Sequence, residues 1–273
     1  MLTVLECLVD GEISTYVTAS NRGLNYGDGL FETLVVHNGQ PRRWQAHMDR
    51  LGAGCERLRI DMPPQAILLR EVQTVSAGLA EAVVKIVLCR GGLARGYLPS
   101  QDAACIRIVS AHEFPSNTDE KAAGGVKARI CDLRLAIQPA LGGIKHLSRL
   151  EQVLASSEPF TEGITEGILL DSEDHVISAI SANIFLVIED RLLTPRLDRC
   201  GVRGVVRGQL LAAFNTRCEQ RRIQLDLLKE ADEVFICNSV RGIVPVTVID
   251  DQHYSIGPVT RELQSWLSDG SRT

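Results

Sequence analysis

Apolar positions along the chain switch several times between a repeat of two and a repeat of about 3.6, so strands and helices are both expected. "TVLECLVDGEISTYVT" alternates on either side of Asp10-Gly11 and reads as two short strands about a tight turn. "LFETLVVHNGQPRRW" repeats the pattern, with a strand over 30–36, an Asn38-Gly39 turn and a return strand. In "WQAHMDRLGAGCERLRI" the residues Trp44, His47, Met48, Leu51, Cys55 and Leu58 recur at helical spacing. Pro63 and Pro64 then suit the start of a second helix in "MPPQAILLREVQTVSAGLA". Two apolar strands follow, "AVVKIVLCR" and "ACIRIVSAH".

From Glu113 to Gly125 the pattern lapses into "EFPSNTDEKAAGG", rich in Pro, Asn, Asp and Gly, which reads as an interdomain linker. Beyond it we expect a strand near "VKARICDL", a helix over 146–157, strands near 166–171 and 175–188, and a turn at Glu189-Asp190-Arg191. A helix over 204–218, strands over 233–237 and 244–249, and a helix from Pro258 complete the series. No strict βαβ alternation and no repeat of fixed period is present. The expected class is α+β (mixed α/β) in two domains, 1–113 and 126–273, joined by a linker over 114–125, with Lys145 in the second.

At 273 residues the chain is long enough for two cores. The net charge of -5 argues against a general nucleic-acid binder, which carries a basic excess. No stretch reaches the roughly 18 apolar residues of a membrane span, and the N-terminus has no basic-then-apolar leader pattern, so a cytoplasmic protein is expected. The eight cysteines are scattered, without Cys-x-x-Cys, and read as buried reduced thiols rather than a zinc site.

Four stretches carry candidate chemistry. "GGIKHLSRLEQ" sets Lys145 after two glycines and between apolar neighbours. It is either a surface cation or a partly buried amine able to attack a carbonyl or carry a proton. "DRCGVRGVVRGQLLAAF" places Gly201 and Gly204 before an apolar helix. The amides of Val205 and Val206 then either bind an anion or open an ordinary helix flanked by solvated Arg203 and Arg207. "CRGGLARGYLPS" offers Arg90, Arg95 and Tyr97 on a loop that either grips a carboxylate or meets solvent. Arg50 lies on the first long helix beside Trp44, His47 and Leu51, where most arginines are solvated.

Taken together, "NRGLNYGDGLFETL", "AHMDRLGAGCERL", "CRGGLARGYLPS", "GGIKHLSRLEQVLA", "EGILLDSEDHVIS", "SANIFLV" and "CGVRGVVRG" occur in the order and rough spacing of a known family. The chain resembles the branched-chain-aminotransferase-like, fold type IV, pyridoxal 5'-phosphate enzymes over nearly its whole length. Within them, "GGIKHLSRLEQVLA" and "CRGGLARGY" look most like the branch that converts 4-amino-4-deoxychorismate to p-aminobenzoate and pyruvate for folate.

The resemblance implies that Lys145 binds the cofactor covalently and that Arg50 binds its phosphate. It further implies phosphate contacts from the amides of Val205 and Val206 and from the loop holding Asn238 and Ser239, with Arg95 and Tyr97 facing substrate. It also implies a homodimer with the cofactor between the two domains. One position departs from the family. Where relatives have a glutamate that keeps the cofactor's pyridine nitrogen protonated, "HVISAISANIF" has Ser178. A hydroxyl cannot hold that proton as a carboxylate does, which disfavours transamination and is more tolerable in an elimination whose product is aromatic. A smaller departure is Val206, where aminotransferase relatives often have threonine. The alternatives are a D-amino-acid or branched-chain aminotransferase of the same fold, or a catalytically impaired cofactor-binding homologue.

Overall fold

The computed structural model describes residues 4–92, 96–99, 104–116 and 118–270. The chain divides into two compact units, one formed by Met1–Pro115 and Ile144–Ser148, the other by Ser116–Gly143 and Arg149–Thr273.

In the first unit, strands β1 (Val4–Val9), β2 (Glu12–Ile13), β3 (Gly29–His37), β4 (Gln40–Pro41), β5 (Glu81–Cys89) and β6 (Ile106–His112) form one sheet of order β2-β1-β6-β5-β3-β4. Every pairing in it is antiparallel. Its tight turns follow from the dipeptides read in the sequence. Asp10 and Gly11 have φ of 52° and 89°, and Asn38 and Gly39 have 48° and 75°, the left-handed pairs that match a hairpin's twist. A short helix α1 (Arg22–Tyr26) is capped by Asn21, whose side chain accepts from the Leu24 amide at 3.0 Å. The longer α2 (Trp44–Leu58) and α3 (Gln65–Val75) bury Met48, Leu51 and Cys55, and Leu68, Val72 and Val75. Each such side chain contributes about 1.5–3 kcal/mol by leaving water.

The second unit holds α4 (Thr118–Gly124), β7 (Val126–Leu135), α5 (Leu150–Ser156), β8 (Ile164–Asp171), β9 (His175–Ala179), β10 (Asn183–Ile188) and β11 (Arg191–Pro195). It continues with α6 (Val205–Ala213), β12 (Cys218–Arg221), β13 (Ile223–Gln224), a 3-10 turn over Leu225–Glu230, β14 (Glu233–Asn238), β15 (Gly242–Ile249), β16 (Gln252–His253) and α7 (Pro258–Gly270). The ten-stranded sheet runs β12-β11-β10-β14-β15-β7-β8-β9-β13, with β16 on β15, and mixes parallel and antiparallel pairs. Its central strands are buried on both faces, which is why they read as continuous apolar runs. Ile184, Leu186, Val234 and Ile236 enter one core, and the alternate Phe185, Val187, Phe235 and Cys237 enter another with Val206 and Leu210 of α6 and Leu263 of α7. Phe185 and Phe235 stack at 5.0 Å.

Four expectations are corrected. The segment expected as a linker over 114–125 contains helix α4, which belongs to the second unit. Arg261 and Gln264 of α7 donate to the carbonyls of Ala122 and Ala123. The lysine segment Ile144–Ser148 groups with the first unit although chain of the second flanks it on both sides. The helix expected over 146–157 begins only at Leu150, because residues before it are engaged in strand-like pairing. The helix expected over 204–218 ends at Ala213, since Cys218 onward pairs in parallel with β11. Among the described residues no helix is long and apolar enough to cross a membrane.

Candidate functional site

Lys145 owes its position to a strand partner rather than to a helix. Gly143, at φ 85°, exchanges backbone bonds within the second unit, donating to Gly201 O at 3.0 Å and accepting from Arg203 N at 2.9 Å. From Ile144 the chain pairs with the start of β3. Phe31 N donates to Lys145 O at 2.9 Å, His146 lies opposite Leu30, and Leu147 N donates to Gly29 O at 3.0 Å. Only a glycine fits at 29, because a Cβ there would stand 2.8 Å from Leu147 Cδ1 and collide with Leu88 O. The half-buried Lys145 directs its Nζ over the Phe31 ring, 4.1 Å from the centroid, a contact that attracts an ammonium to the ring face.

Arg50 is likewise held by a neighbour, Glu32 of β3. Arg50 Nε donates to Glu32 Oε1 at 2.7 Å and Nη2 to Oε2 at 2.5 Å. His47, one turn earlier on α2, places Nδ1 2.6 Å from the same Oε2. Glu32 is 0% exposed. Burial by itself would raise the Glu32 pKa, but the Arg50 charge and the bonds from His47 and Arg50 outweigh it and hold the carboxyl down at about 2. Burial lowers His47 from its ordinary value, against the pull of Glu32.

In the second unit, α6 begins at Gly204 with no side chain capping it, so the amides of Val205 and Val206 open an uncapped helix N-terminus. Their side chains are buried, and only the backbone is available. A Cβ at Gly204 would collide with Asn183 Oδ1, and Asn183 Nδ2 in turn donates to Val202 O at 2.8 Å. Arg207 is no solvated flank. It is 3% exposed and donates to Thr194 Oγ1, Pro195 O and Gln220 Oε1, with burial pulling its pKa down to about 10.

The loop after β14 is shaped by Asn238, whose Oδ1 accepts from the amides of Val240 at 3.0 Å and Arg241 at 2.7 Å while Nδ2 donates to Ser181 O. Its side chain is thus spent on the loop, and half-buried Ser239 sits within the turn so formed. Ser178 lies on β9 opposite Leu169, at a register shift, and is 8% exposed.

Arg90, offered by the sequence for a carboxylate, and Arg241 of the loop after β14 are both committed to other partners. Arg90 donates from Nε to Asp28 at 3.0 Å, from Nη1 to Arg59 O at 2.6 Å and from Nη2 to Leu58 O at 2.5 Å. It therefore ties the end of β5 to the end of α2, and the carboxylate-gripping role is corrected to a structural one. Arg241 pairs with buried Glu166 at 2.9 Å and with Ser181 Oγ at 3.0 Å. Arg95 lies outside the described residues. Tyr97 is exposed, its ring 5.7 Å from Tyr26, and its carbonyl and that of Gly96 accept from buried Arg22, which also pairs with Asp28.

Sequence reasoning passed over Glu32 and His47, although both left a trace. In "GLFETLVV" the alternation puts Glu32 on the inward side with Leu30 and Leu34, and His47 and Arg50 stand one turn apart beside Met48 and Leu51. A charge at an inward strand position calls for a buried partner.

Comparison with known proteins gives four findings. The family model described as amino-transferase class IV matches residues 29–249. Aminodeoxychorismate lyase of Vibrio harveyi is 34% identical over 267 residues, covering 95% of this chain and 98% of that one. The crystal structure of 4-amino-4-deoxychorismate lyase from Pseudomonas aeruginosa superimposes with a TM-score of 0.92 at 41% identity, covering 96% and 98% of the two chains. D-alanine aminotransferase of Listeria monocytogenes is 27% identical over 272 residues, covering 95% and 92%.

Proposed function

The chain belongs to the amino-transferase class IV family, and we infer that it acts there as a pyridoxal 5'-phosphate-dependent lyase converting 4-amino-4-deoxychorismate to p-aminobenzoate and pyruvate. The observation that carries this reading is the length of the likeness. The 41% identical lyase is matched over 98% of its chain, and the family match over residues 29–249 contains Arg50, Lys145 and the start of α6.

The donor set suits the cofactor, with a primary amine for its aldehyde, and a guanidinium and an uncapped helix N-terminus for its phosphate. The resemblance assigns the amides of Val205 and Val206 and the Asn238–Ser239 turn to phosphate binding as well. Bound pyridoxal phosphate supplies an electron sink at the carbon bearing the substrate amine. Lys145 takes the proton from that carbon, and its ammonium is the donor that completes pyruvate as the ring becomes aromatic. Phe31 holds that amine in place through its ring face. Ser178, a buried hydroxyl where relatives carry a carboxylate, favours prompt elimination over amino transfer.

Tyr97 and Arg95 face the substrate in this reading. A homodimer belongs to it as well. The first unit leaves Ile13, Tyr16, Leu24 and Leu98 exposed, and the second leaves Leu150, Val153 and Leu154 exposed on one side of α5, apolar surface that a second copy would cover. The eight free thiols fit a reducing cytoplasm.

The test is to record the visible spectrum of the purified protein and mix it with 4-amino-4-deoxychorismate. We expect a cofactor band that is lost in Lys145→Ala, and equal amounts of p-aminobenzoate and pyruvate from the wild type alone. A wild-type band without p-aminobenzoate would keep the family and remove the function, while a band that persists in Lys145→Ala would remove the role of the lysine.

A further inference from the structure

Glu32 interrupts an otherwise apolar inward row, Leu30, Leu34 and Val36, all buried. An ionised carboxylate in such a place is retained only when its oxygens are saturated, and here they accept from Arg50 Nε, Arg50 Nη2 and His47 Nδ1. Buried ion pairs of this kind are weak contributors to stability compared with apolar side chains of the same volume. The arrangement therefore asks for another purpose.

Its geometry suggests one. A carboxylate that grips a guanidinium along the Nε–Nη2 edge fixes both the plane and the direction of the group, and turns the edge formed by the two terminal nitrogens away from itself. Glu32 needs fixing in turn, since its own torsions would let the fork swing. His47 supplies this. Nδ1 donates to Glu32 Oε2, which leaves Nε2 as the bare nitrogen of a neutral ring, buried and without a hydrogen-bond partner. Nδ1 of His47 is thus committed to Glu32.

We propose that Glu32 and His47 are positioning residues for anion binding, Glu32 setting the orientation in which Arg50 meets a phosphate monoester and His47 locking Glu32. This rests on the reading that Arg50 holds the cofactor phosphate, and it adds two residues that never touch the ligand. A purely structural role for the pair predicts something different. Losing it would weaken every ligand of the site alike, whereas a role through Arg50 weakens only those with a phosphate.

The experiment compares two probes on full-length protein freed of cofactor: pyridoxal 5'-phosphate and pyridoxal, which share the reactive aldehyde and differ by the phosphate. The affinity ratio of the two isolates the phosphate contribution. In wild type the ratio favours the phosphorylated probe. We expect Glu32→Gln to lower that ratio about tenfold or more, because the amide nitrogen cannot accept from Arg50. Arg50→Ala should lower it at least as far, and adding Glu32→Gln to Arg50→Ala should change the ratio no further. His47→Asn, whose amide can donate where Nδ1 does, should keep most of the ratio, while His47→Leu should lose part of it. The His47 pair also decides the matter if Glu32→Gln fails to fold. Equal weakening of both probes in the variants, or a further loss of ratio from Glu32→Gln in the Arg50→Ala background, overturns the proposal. A wild type that binds both probes equally would overturn the cofactor reading itself, and the proposal with it.

Discussion

In the proposed function the two units would offer an anion groups of opposite kinds. The first uses side chains, with Arg50 forked onto Glu32 and Glu32 held by His47, a chain of charge-assisted bonds inside an apolar layer. The second uses backbone. The uncapped start of α6 and a loop folded around Asn238 present peptide groups, while the nearby arginines Arg207 and Arg241 are turned to other partners. A side-chain device depends on protonation and on partner identity. A backbone device depends on steric room. The two should therefore fail under different insults.

Acid is the largest such insult for the first unit. Glu32 has its folded pKa depressed from 4.5 to about 2, so it adds stability that is present above the unfolded value and lost as pH falls toward 2. The depression corresponds to about 3 kcal/mol, an order-of-magnitude figure from roughly 1.4 kcal/mol per pH unit. His47 acts in the same sense from higher pH. Burial lowers its folded pKa, so as pH falls through about 6.5 the unfolded chain takes up the proton first. Urea unfolding from pH 7 to 2.5 should show the stability gap between wild type and Glu32→Gln shrinking as pH falls below about 4.5; a gap that stays constant would mean the carboxylate is not held ionised.

Steric crowding is the insult for the second unit. Gly204→Ala drives a methyl into Asn183 and should cost about 2 kcal/mol in thermal unfolding together with a loss of cofactor affinity. Gly208, four residues later on the same helix, has nothing within 4 Å of the place a methyl would take, and Gly208→Ala should instead stabilise by up to about 1 kcal/mol. Similar effects at both positions would mean that helix propensity, not close approach, governs the start of α6.

The smallest effect expected is chemical. Ser178→Glu restores a carboxylate on β9 and should raise a side activity, amino transfer to a keto acid, while the main elimination changes little. Amino transfer that remains undetectable in this variant would show that the hydroxyl is not what separates the two reactions.

Local features were legible in the sequence. The Asp10-Gly11 and Asn38-Gly39 hairpins, the span of α2, the proline-led start of α3 and the doubly apolar strands of the second unit all follow from neighbouring residues. Lys145 was also marked by its glycines, though for a partly wrong reason. The glycine at 143 is needed for a left-handed turn beside Gly201, and the lysine then pairs with β3 instead of starting a helix. A helical repeat can be read in "HLSRLEQVLA", but its first residues had a better use for their backbone donors.

By itself the sequence determined the hairpins and the helical and apolar stretches, because each depends on backbone torsions and side-chain spacing within a few residues. Tertiary structure alone decided what each long charged side chain does. Arg90 reaches Asp28, a partner 62 positions away in the chain, Arg241 reaches Glu166 across 75, and Glu32 stays ionised only because Arg50 and His47 arrive from a different element. The physical reason is range. A guanidinium or carboxylate takes its state from whatever charge lies within a few ångströms, and only the folded chain brings those groups that close.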